Sequence, residues 1–212
     1  MDFRGIELGR LILIRHCETR SNVEGTVQGR RNLALSDRGE KQAVLVGEYV
    51  RGNFSIDRVI SSNRKRCIQT AAEIDQNVEI NPLLREIHWG DWEGKKWADV
   101  KREYPDDVEA LLTADPTFTT PNGDSLMSFI QRIDQAISDL DLVNLNGDIA
   151  IVSHEGTVRT MITRLLGWPS ANMANLTAFP GSVSVISASY ASAKLETLNY
   201  YDHLAPTYEG QR

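Results

Sequence analysis

Short apolar runs alternate with segments of helical periodicity along most of this chain, and this alternation restricts the fold more than any other feature. Strands that alternate with helices form a largely parallel sheet covered by helices on both faces. The last two apolar runs are separated by only a few residues, so one of them is expected to be antiparallel. The sequence therefore predicts an α/β fold, a three-layer αβα sandwich with a mostly parallel central sheet. The candidate strands are residues 10–15, 58–61, 78–80, 149–153, 182–187 and 194–200.

The helical segments are indicated by capping residues and by the spacing of their apolar side chains. Ser36 precedes Asp37 and Glu40, an arrangement typical of a helix N-terminus. In the longest segment, apolar residues recur at intervals of three and four, as on one face of an amphipathic helix. The predicted helices run from Ser36 to about Val50, from near Ser62, from a cap at Asp124 or Ser125, and over 158–166 with a stop at Gly167 and Pro169.

A length of 212 residues is enough for one substantial hydrophobic core and short for two full domains. Neither a linker nor a repeat interrupts the sequence, so residues 1–212 are predicted to form a single domain. The stretch 88–120 is less regular, and we interpret it as a lid-like excursion over the active site. Its aromatic residues, for which packing is favoured over base stacking, are Trp89, Trp92, Trp97, Tyr104 and Phe118.

Charge and cysteine content argue against several classes of protein. A net charge of −6 argues against broad binding of nucleic acid or of an anionic membrane. No apolar run approaches the roughly 20 residues needed to cross a bilayer, and the charged segment 1–10 lacks the apolar stretch of a signal peptide. Two cysteines, Cys17 and Cys67, are too few for a disulfide framework, which fits a reducing compartment. A cytoplasmic location is therefore predicted.

Arg15 and His16 stand side by side where the first strand is predicted to end. In an open α/β sheet, ligands bind at the carboxyl ends of the strands. A guanidinium there offers a planar pair of donors to phosphate oxygens. An imidazole that is neutral near physiological pH can act as a nucleophile or a base. We interpret the pair as an anion-binding group next to a reactive nitrogen.

Three further segments have the same form, an apolar run followed by chemically active residues. One delivers Arg66 to a helix start, where free backbone N–H groups favour anions, and another delivers His154 to a strand end. The third places Glu86 close to Trp92, and aromatic bulk can raise the pKa of a carboxyl group. Together they supply a second imidazole, a second guanidinium and a candidate acid.

Each of these residues also has a simpler interpretation. Arg66 could be a solvated helix residue, and His154 could be a core histidine whose hydrogen bonds are satisfied. Glu18 and Glu93 lie near the same motifs as Glu86, where they would serve as structural hydrogen-bond acceptors. The four histidines lack the short spacing typical of zinc ligands, so no zinc site is predicted. No cofactor is predicted either.

Six short motifs, in order from about residue 11 to residue 166, resemble those of one enzyme family. The chain is similar to the histidine phosphatase superfamily, also called the phosphoglycerate mutase-like family. The N-terminal signature of that family, Arg-His-Gly-Glu-Thr, corresponds to residues 15–19 of this sequence. The other matching positions include Asn22, Gln28, Gly29, Ser36, Gly39, Ser61, Arg66, Thr70, Leu84, Glu86, Gly90, Trp92, Gly94, Pro121, Gly123, Ser125, Ser153, His154, Gly156 and Arg159.

The resemblance implies a fold like that of phosphoglycerate mutase and a chemistry of phosphoryl transfer. His16 would attack phosphorus and form a phosphohistidine. Arg15, Arg66 and His154 would hold the equatorial oxygens, where charge develops in the transition state. Glu86 would protonate the leaving oxygen and then take a proton from the water that hydrolyses the intermediate.

The resemblance also bears on substrate and cofactors. Asn22 and Gln28 would add hydrogen bonds to the substrate, a small phosphomonoester. No metal is needed in this chemistry, because the arginines supply the positive charge.

Five residues depart from the family pattern, of which Asn32 and Ala34 affect only the geometry of a loop. Cys17 and Cys67 replace the usual glycine and alanine, and we interpret them as small buried residues. The alternative is a pair of thiols close enough to the site for oxidation to block it. Glu155, grouped with the candidate substrate-binding residues, stands where glycine is common. Because a carboxylate facing the pocket would repel phosphate, we expect its side chain to point away.

The phosphatase branch of the family is favoured over the mutase branch. Gly90, Trp92 and Gly94 fit the phosphatase form Gly-x-Trp-Glu-Gly, whereas the mutase branch has longer chains with an inserted segment. The prediction is a metal-independent phosphomonoester phosphatase that acts on a small phosphorylated metabolite. A cofactor-dependent phosphoglycerate mutase is the first alternative, and a catalytically silent protein that binds a phosphorylated ligand is the second. The substrate is left open, and so is a homodimer formed through a sheet edge or the lid surface.

Overall fold

The computed structural model of this chain describes residues 9–143, 145, 147–189 and 192–208. The segment 1–8, which is most of the stretch considered for a signal peptide, lies outside them. A six-stranded sheet in the order β3-β2-β4-β1-β5-β6 crosses this part of the chain. Its strands are β1 (Arg10–Arg15), β2 (Ile56–Ser61), β3 (Val78–Ile80), β4 (Asp148–Ser153), β5 (Val183–Ser189) and β6 (Ser192–Tyr200).

The strand directions confirm the predicted mixture. β1, β2, β3 and β4 pair in parallel, as expected where helices carry the chain between strands. β5 is antiparallel to both of its neighbours, β1 and β6. β5 and β6 follow each other closely in sequence, which leaves no room for the crossover that a parallel pair needs. One strand therefore runs against the other five, as the sequence predicts.

The helices agree with most of the predicted starts. Ser36 caps the second helix by accepting from the backbone N–H of Gly39, and Ser125 rather than Asp124 caps the sixth. The third helix begins at Lys65 rather than near Ser62, because Ser62 still hydrogen-bonds to β4 through its backbone. The helices are α1 (Arg20–Glu24), α2 (Asp37–Asn53), α3 (Lys65–Ala72), α4 (Trp97–Glu103), α5 (Pro105–Leu112), α6 (Leu126–Asp139) and α7 (Glu155–Leu165), with short 3-10 helices at Pro82–Leu84, Gly90–Trp92, Ser170–Asn175 and Asp202–Tyr208.

The sheet is covered on both faces, which confirms the three-layer αβα sandwich. Successive side chains of a strand point to opposite faces, and β1 shows this clearly. Leu11 and Leu13 pack in a core with the apolar residues of α6 and α7. Ile12 and Ile14 pack in a second core with those of α2 and α3. Every apolar position of β1 is therefore buried, as in a sheet between two helical layers.

The aromatic stretch 88–120 contains α4 and α5, and most of its rings pack together. Trp92 is fully buried and stacks on Trp89, with 5.6 Å between ring centroids. Trp97, Tyr104 and Phe118 each contact the Trp92 ring. The interpretation of these aromatics as packing residues is therefore confirmed. Within the described part of the chain, no helix combines the length and apolar character needed to span a membrane.

Candidate active site

The carboxyl ends of β1, β2 and β4 bring the predicted residues together. In the parallel register Arg15 lies opposite Ser153, so the residues that follow each strand emerge side by side. The backbone N–H of His16 donates to the carbonyl of Ser153 at 2.8 Å, and Ser62 makes the equivalent bond to Val152 at 3.0 Å. The carboxyl ends of these three strands therefore lie side by side.

A cavity of about 510 Å³ opens at this edge of the sheet. Most of the candidate residues line this cavity. His154 is not part of the lining, but it contacts Arg66, which is. The candidate residues in the lining are Arg15, His16, Asn22, Gln28, Arg66, Glu86 and Glu155.

His16 is held as a neutral imidazole with a defined tautomer. Its Nδ1 lies 2.7 Å from the carbonyl oxygen of Cys17, and since a carbonyl can only accept, Nδ1 carries the proton. Burial lowers the pKa of His16 well below its ordinary value, and the positive charges of Arg66 and Arg15 lower it further. Nε2 therefore keeps its lone pair, the form that a nucleophile requires.

His154 is bound at both ring nitrogens by the protein. Nδ1 accepts from Nη2 of Arg66 at 3.0 Å, because a guanidinium only donates, and Nε2 lies 2.9 Å from the Ser62 hydroxyl. Its ring is 5.4 Å from that of His16, centroid to centroid. Burial, and next the charge of Arg66, lower the pKa of His154 as well. In this structure His154 orients Arg66, so its direct contact with a phosphate stays a prediction.

Arg66 is buried and anchored by the backbone of a neighbouring loop. Its Nη1 donates to the carbonyl of Arg31 at 2.7 Å and its Nη2 to that of Gly29 at 2.8 Å. Burial lowers the pKa of Arg66. Among the described residues, its buried Nε has no hydrogen-bond partner. An unsatisfied buried donor costs about 1–3 kcal/mol, so this N–H favours an anionic ligand.

Arg15 shows the same combination of anchoring and an unpaired donor. Its Nη1 donates to the carbonyl of Ala178 at 2.7 Å. Its buried Nε also has no partner among the described residues. Arg15 and Arg66 line the same cavity as His16, and each keeps one buried N–H donor without a partner among the described residues, as suits an anion-binding site.

Glu86 is buried, and its carboxyl group is fixed by two backbone donors. Oε1 accepts from the N–H of Ile87 and Oε2 from the N–H of Gly156, each at 3.0 Å. Burial is the largest influence on its pKa and raises it, which favours the protonated acid. Any side chain at position 156 would crowd this group, since a Cβ there would lie 2.5 Å from Oε1.

Asn22 and Gln28 reach the cavity from the segment that follows the nucleophile. The side-chain oxygen of Asn22 accepts from the backbone N–H of Thr19 at 2.9 Å and closes the capping box of α1. Its amide nitrogen is thus the group suited to a ligand acceptor. Oε1 of Gln28 is buried without a partner among the described residues. Both side chains are placed as predicted, and their contact with substrate stays a prediction.

The expected orientation of Glu155 is wrong. Its side chain faces the cavity, where Oε2 lies 2.6 Å from Nη1 of Arg15. Oε1 lies 3.7 Å from Nη1 of Arg159, one turn further along α7. Attraction to two guanidiniums holds the carboxylate in place, and the expectation did not take these two neighbours into account.

The other two candidate carboxylates have structural partners. Glu18 accepts from the Ser36 hydroxyl at 2.7 Å and from Nε of Arg38 at 2.8 Å, which ties the signature to the start of α2. Glu93 accepts from the backbone N–H of Arg30 at 2.8 Å. Neither lines the cavity. Of these three carboxyl groups, Glu86 is the one placed to act on a ligand.

Cys17 and Cys67 are fully buried. Burial raises the pKa of each thiol to about 12. Oxidation proceeds through the thiolate, which is scarce in a group of this kind. Both observations agree with the interpretation of these residues as small packing groups.

Arg132 is a residue of this site that the sequence reasoning missed. From α6, its Nη1 donates to the carbonyls of Leu83 at 2.5 Å and Arg85 at 2.6 Å, and its Nη2 donates to that of Glu86 at 3.2 Å. The guanidinium thus fixes the backbone that carries Glu86. The available signal was a single arginine between the apolar positions Phe129 and Ile133 of an otherwise regular helical pattern.

Over the described ranges of the chain, no group of three or more His, Cys, Asp or Glu residues is arranged to hold a metal ion. The positive groups that line the cavity are arginines.

Comparison with known proteins identifies the family. A family model of the histidine phosphatase superfamily (branch 1) matches residues 11–200, so the chain belongs to that superfamily. The resemblance inferred from the motifs is confirmed. The match spans the strands and helices that carry every candidate residue of the cavity.

Individual relatives point in the same direction. An adenosylcobalamin/alpha-ribazole phosphatase of Salmonella typhimurium is 32% identical over 194 residues, 90% of this chain and 96% of that protein. Phosphoserine phosphatase 1 of Hydrogenobacter thermophilus is 30% identical over 203 residues, 94% of this chain and 96% of that protein. These relatives are phosphatases, which supports hydrolysis of a phosphate ester by this chain.

The fold agrees with a solved structure of the same group. A putative alpha-ribazole-5'-P phosphatase from Escherichia coli superposes with a TM-score of 0.80 at 30% identity, covering 91% of this chain and 97% of that one. The predicted phosphoglycerate mutase-like architecture is therefore confirmed.

Proposed function

We propose that the protein is a metal-independent phosphomonoester phosphatase that acts through a phosphohistidine at His16. One observation carries this proposal: a neutral His16, with Nε2 unprotonated, shares a cavity with two anchored arginines and a buried carboxyl group. The nucleophile, the charge-stabilising donors and the proton donor are thus within one site. Phosphoryl transfer requires these three functions.

In the first step, Nε2 of His16 attacks phosphorus in line with the ester oxygen. The N–P bond forms as the P–O bond to the leaving group breaks, and Glu86 gives its proton to the departing oxygen. Arg15 and Arg66 donate to the equatorial oxygens, where negative charge is spread in the transition state. The arginines supply this charge in place of a metal ion.

In the second step, the carboxylate of Glu86 takes a proton from water, and the resulting nucleophile attacks the phosphohistidine. The N–P bond breaks, inorganic phosphate leaves and His16 regains its lone pair. Asn22 and Gln28 hydrogen-bond to the bound group, and His154 keeps Arg66 oriented throughout.

Two alternative functions, a phospho-ligand binding protein and a phosphoglycerate mutase, fit these residues less well. A binding protein for a phosphorylated ligand needs neither an unprotonated nucleophile nor a buried acid. A cofactor-dependent phosphoglycerate mutase must keep water from its phosphohistidine. The carboxylate of Glu155 in the cavity is unfavourable to the acidic phosphoglycerates that such a mutase handles.

The ligand of this site is a small phosphomonoester. We infer that the protein binds neither nucleic acid nor a membrane. The segment 88–120 contributes Trp89, Trp97 and Leu111 to the cavity wall, which supports its role as a lid on a single domain. Alpha-ribazole phosphate, named in one of the relatives, is the first candidate substrate, and phosphoserine, which carries a carboxylate near the ester, is the second. A cytoplasmic location and a homodimer remain part of this proposal.

The test is phosphate release from a panel of phosphomonoesters in excess EDTA, for wild type and His16→Ala. We expect turnover that resists the chelator and is lost in His16→Ala. His88→Ala is the matched control, since His88 does not line the cavity. Activity retained by His16→Ala, or lost on chelation, would contradict the proposal.

A further inference from the structure

Glu155 places a carboxylate inside a cavity that otherwise attracts anions. It bridges Arg15 and Arg159, at 2.6 Å and 3.7 Å. Its side chain keeps 37% of its surface exposed, so it remains accessible to a ligand in the cavity. Neither the phosphate-binding role nor the acid role described above accounts for this residue.

Each cation that lines the cavity already has a protein partner or is assigned to the phosphate. Of the described lining residues, Arg15, Arg66 and Arg159 are the permanent cations. Arg15 and Arg66 are committed to the phosphate. Arg159 donates through Nε to the carbonyl of Met173 at 2.5 Å and faces Glu155 through Nη1. A carboxylate or second phosphate on the substrate would therefore meet Glu155.

Apolar side chains form much of the rest of the wall, alongside polar ones such as Thr26 and Thr160, and they suit a leaving group without charge. Burial of apolar surface is favourable, whereas burial of an unpaired charge is strongly unfavourable. The apolar part of the wall is formed mainly by Trp89, Trp97, Leu111, Leu126, Phe129 and Met173.

We propose that Glu155 is a specificity-determining residue, which disfavours phosphomonoesters that carry a second anionic group near the ester and so selects uncharged, apolar leaving groups. This inference rests on the proposed function and names the substrate class of the same site. Like charges brought together across a contact lower affinity. Specificity would therefore come both from repulsion of a second anionic group by Glu155 and from favourable contacts of the apolar wall with an uncharged leaving group.

The test compares phenyl phosphate with its meta-carboxy derivative, which differ by one carboxylate. Glu155→Gln keeps the shape of the side chain and removes its charge. We expect kcat/KM to rise for both esters, since Arg15 loses an ion pair, but on the order of tenfold more for the carboxylated ester. Glu48→Gln, an exposed change on α2, is the charge-matched control and leaves the ratio unchanged.

Binding is measured in parallel with His16→Ala and His16→Ala/Glu155→Gln, by calorimetry with the same two esters. The preference for phenyl phosphate over the carboxylated ester should fall by the same factor when Glu155 is replaced. An equal change for both esters, in kcat/KM and in Kd, would overturn the inference. Absence of turnover by the wild type, together with a shifted binding ratio, would overturn the phosphatase proposal and leave the role of Glu155 supported.

Discussion

The two ends of the cavity are built in different ways. At the phosphate end, Arg66 is tied to the carbonyls of Gly29 and Arg31, and His16 to that of Cys17. At the other end, Trp97 and Leu111 are partly exposed side chains held by packing. Backbone hydrogen bonds fix groups to within a fraction of an ångström, as catalysis requires, whereas apolar packing tolerates changes of shape. The difference separates the chemistry of this site from its selectivity.

If the phosphate end carries the chemistry, the largest loss of activity is expected from a substitution of Glu86. In Glu86→Gln the group cannot donate or accept the transferred proton, and kcat should fall by about 10²–10⁴-fold. The loss should be smaller for nitrophenyl phosphate, whose leaving group needs little protonation. Glu109→Gln, an exposed carboxylate on α5, is the control. Equal losses for good and poor leaving groups would argue against Glu86 as the acid.

The pH dependence of kcat/KM follows from the protonation states of His16 and Glu86. His16 must be unprotonated, and its lowered pKa keeps it so below the ordinary histidine value of about 6.5. Glu86 must be protonated, and its raised pKa keeps the proton above the ordinary value of about 4.3. The profile of kcat/KM should therefore be bell-shaped, with its acid limb set by His16 and its basic limb by Glu86. A basic limb that survives in Glu86→Gln would contradict this assignment.

A smaller loss is expected when the support of Glu86 is altered. Arg132→Lys keeps the charge but removes the fork that joins three carbonyls, so kcat should fall by roughly tenfold while KM changes little. Because the carboxyl group is displaced, the basic limb of the pH profile should also shift. Arg102→Lys, at an exposed arginine of α4, is the matched control. A change in stability alone, with kcat and the pH profile intact, would show that Arg132 has no positioning role.

The smallest effect is expected at the apolar end. Leu111→Ala removes part of the wall, and KM for phenyl phosphate should rise by about threefold to tenfold. KM for methyl phosphate, whose leaving group is too small to reach the wall, should stay the same. Val44→Ala on α2 is the control, since Val44 is exposed and does not line the cavity. Equal changes for both esters would mean that this wall acts on the phosphate end as well.

Much of the phosphate end could be predicted from the sequence. Apolar runs of the right length predict parallel strands, and parallel strands end at one edge, so Arg15, His16 and His154 had to lie close together. The short connection between β5 and β6 predicted that one of these two strands is antiparallel, and the structure shows that it is β5. These features depend on local pattern and on general rules of topology.

The remaining features depend on contacts between distant parts of the chain. Glu155 turns into the cavity because Arg15 is opposite, and neither residue reveals this by its type or position. Arg132 donates to backbone carbonyls that are far away in sequence. Every residue has such a carbonyl, so the sequence does not indicate which ones Arg132 contacts. The substrate-facing wall is ordinary apolar packing, so its shape was not predictable from residue spacing.

The most direct test of the central claim is the stereochemical course at phosphorus. A chiral phosphomonoester labelled with three oxygen isotopes is cleaved in the presence of an alcohol acceptor, and the configuration of the transferred phosphoryl group is determined by phosphorus NMR. Two in-line displacements, to His16 and then to the acceptor, predict overall retention. Inversion would mean a single direct displacement, and it would contradict a phosphohistidine at His16.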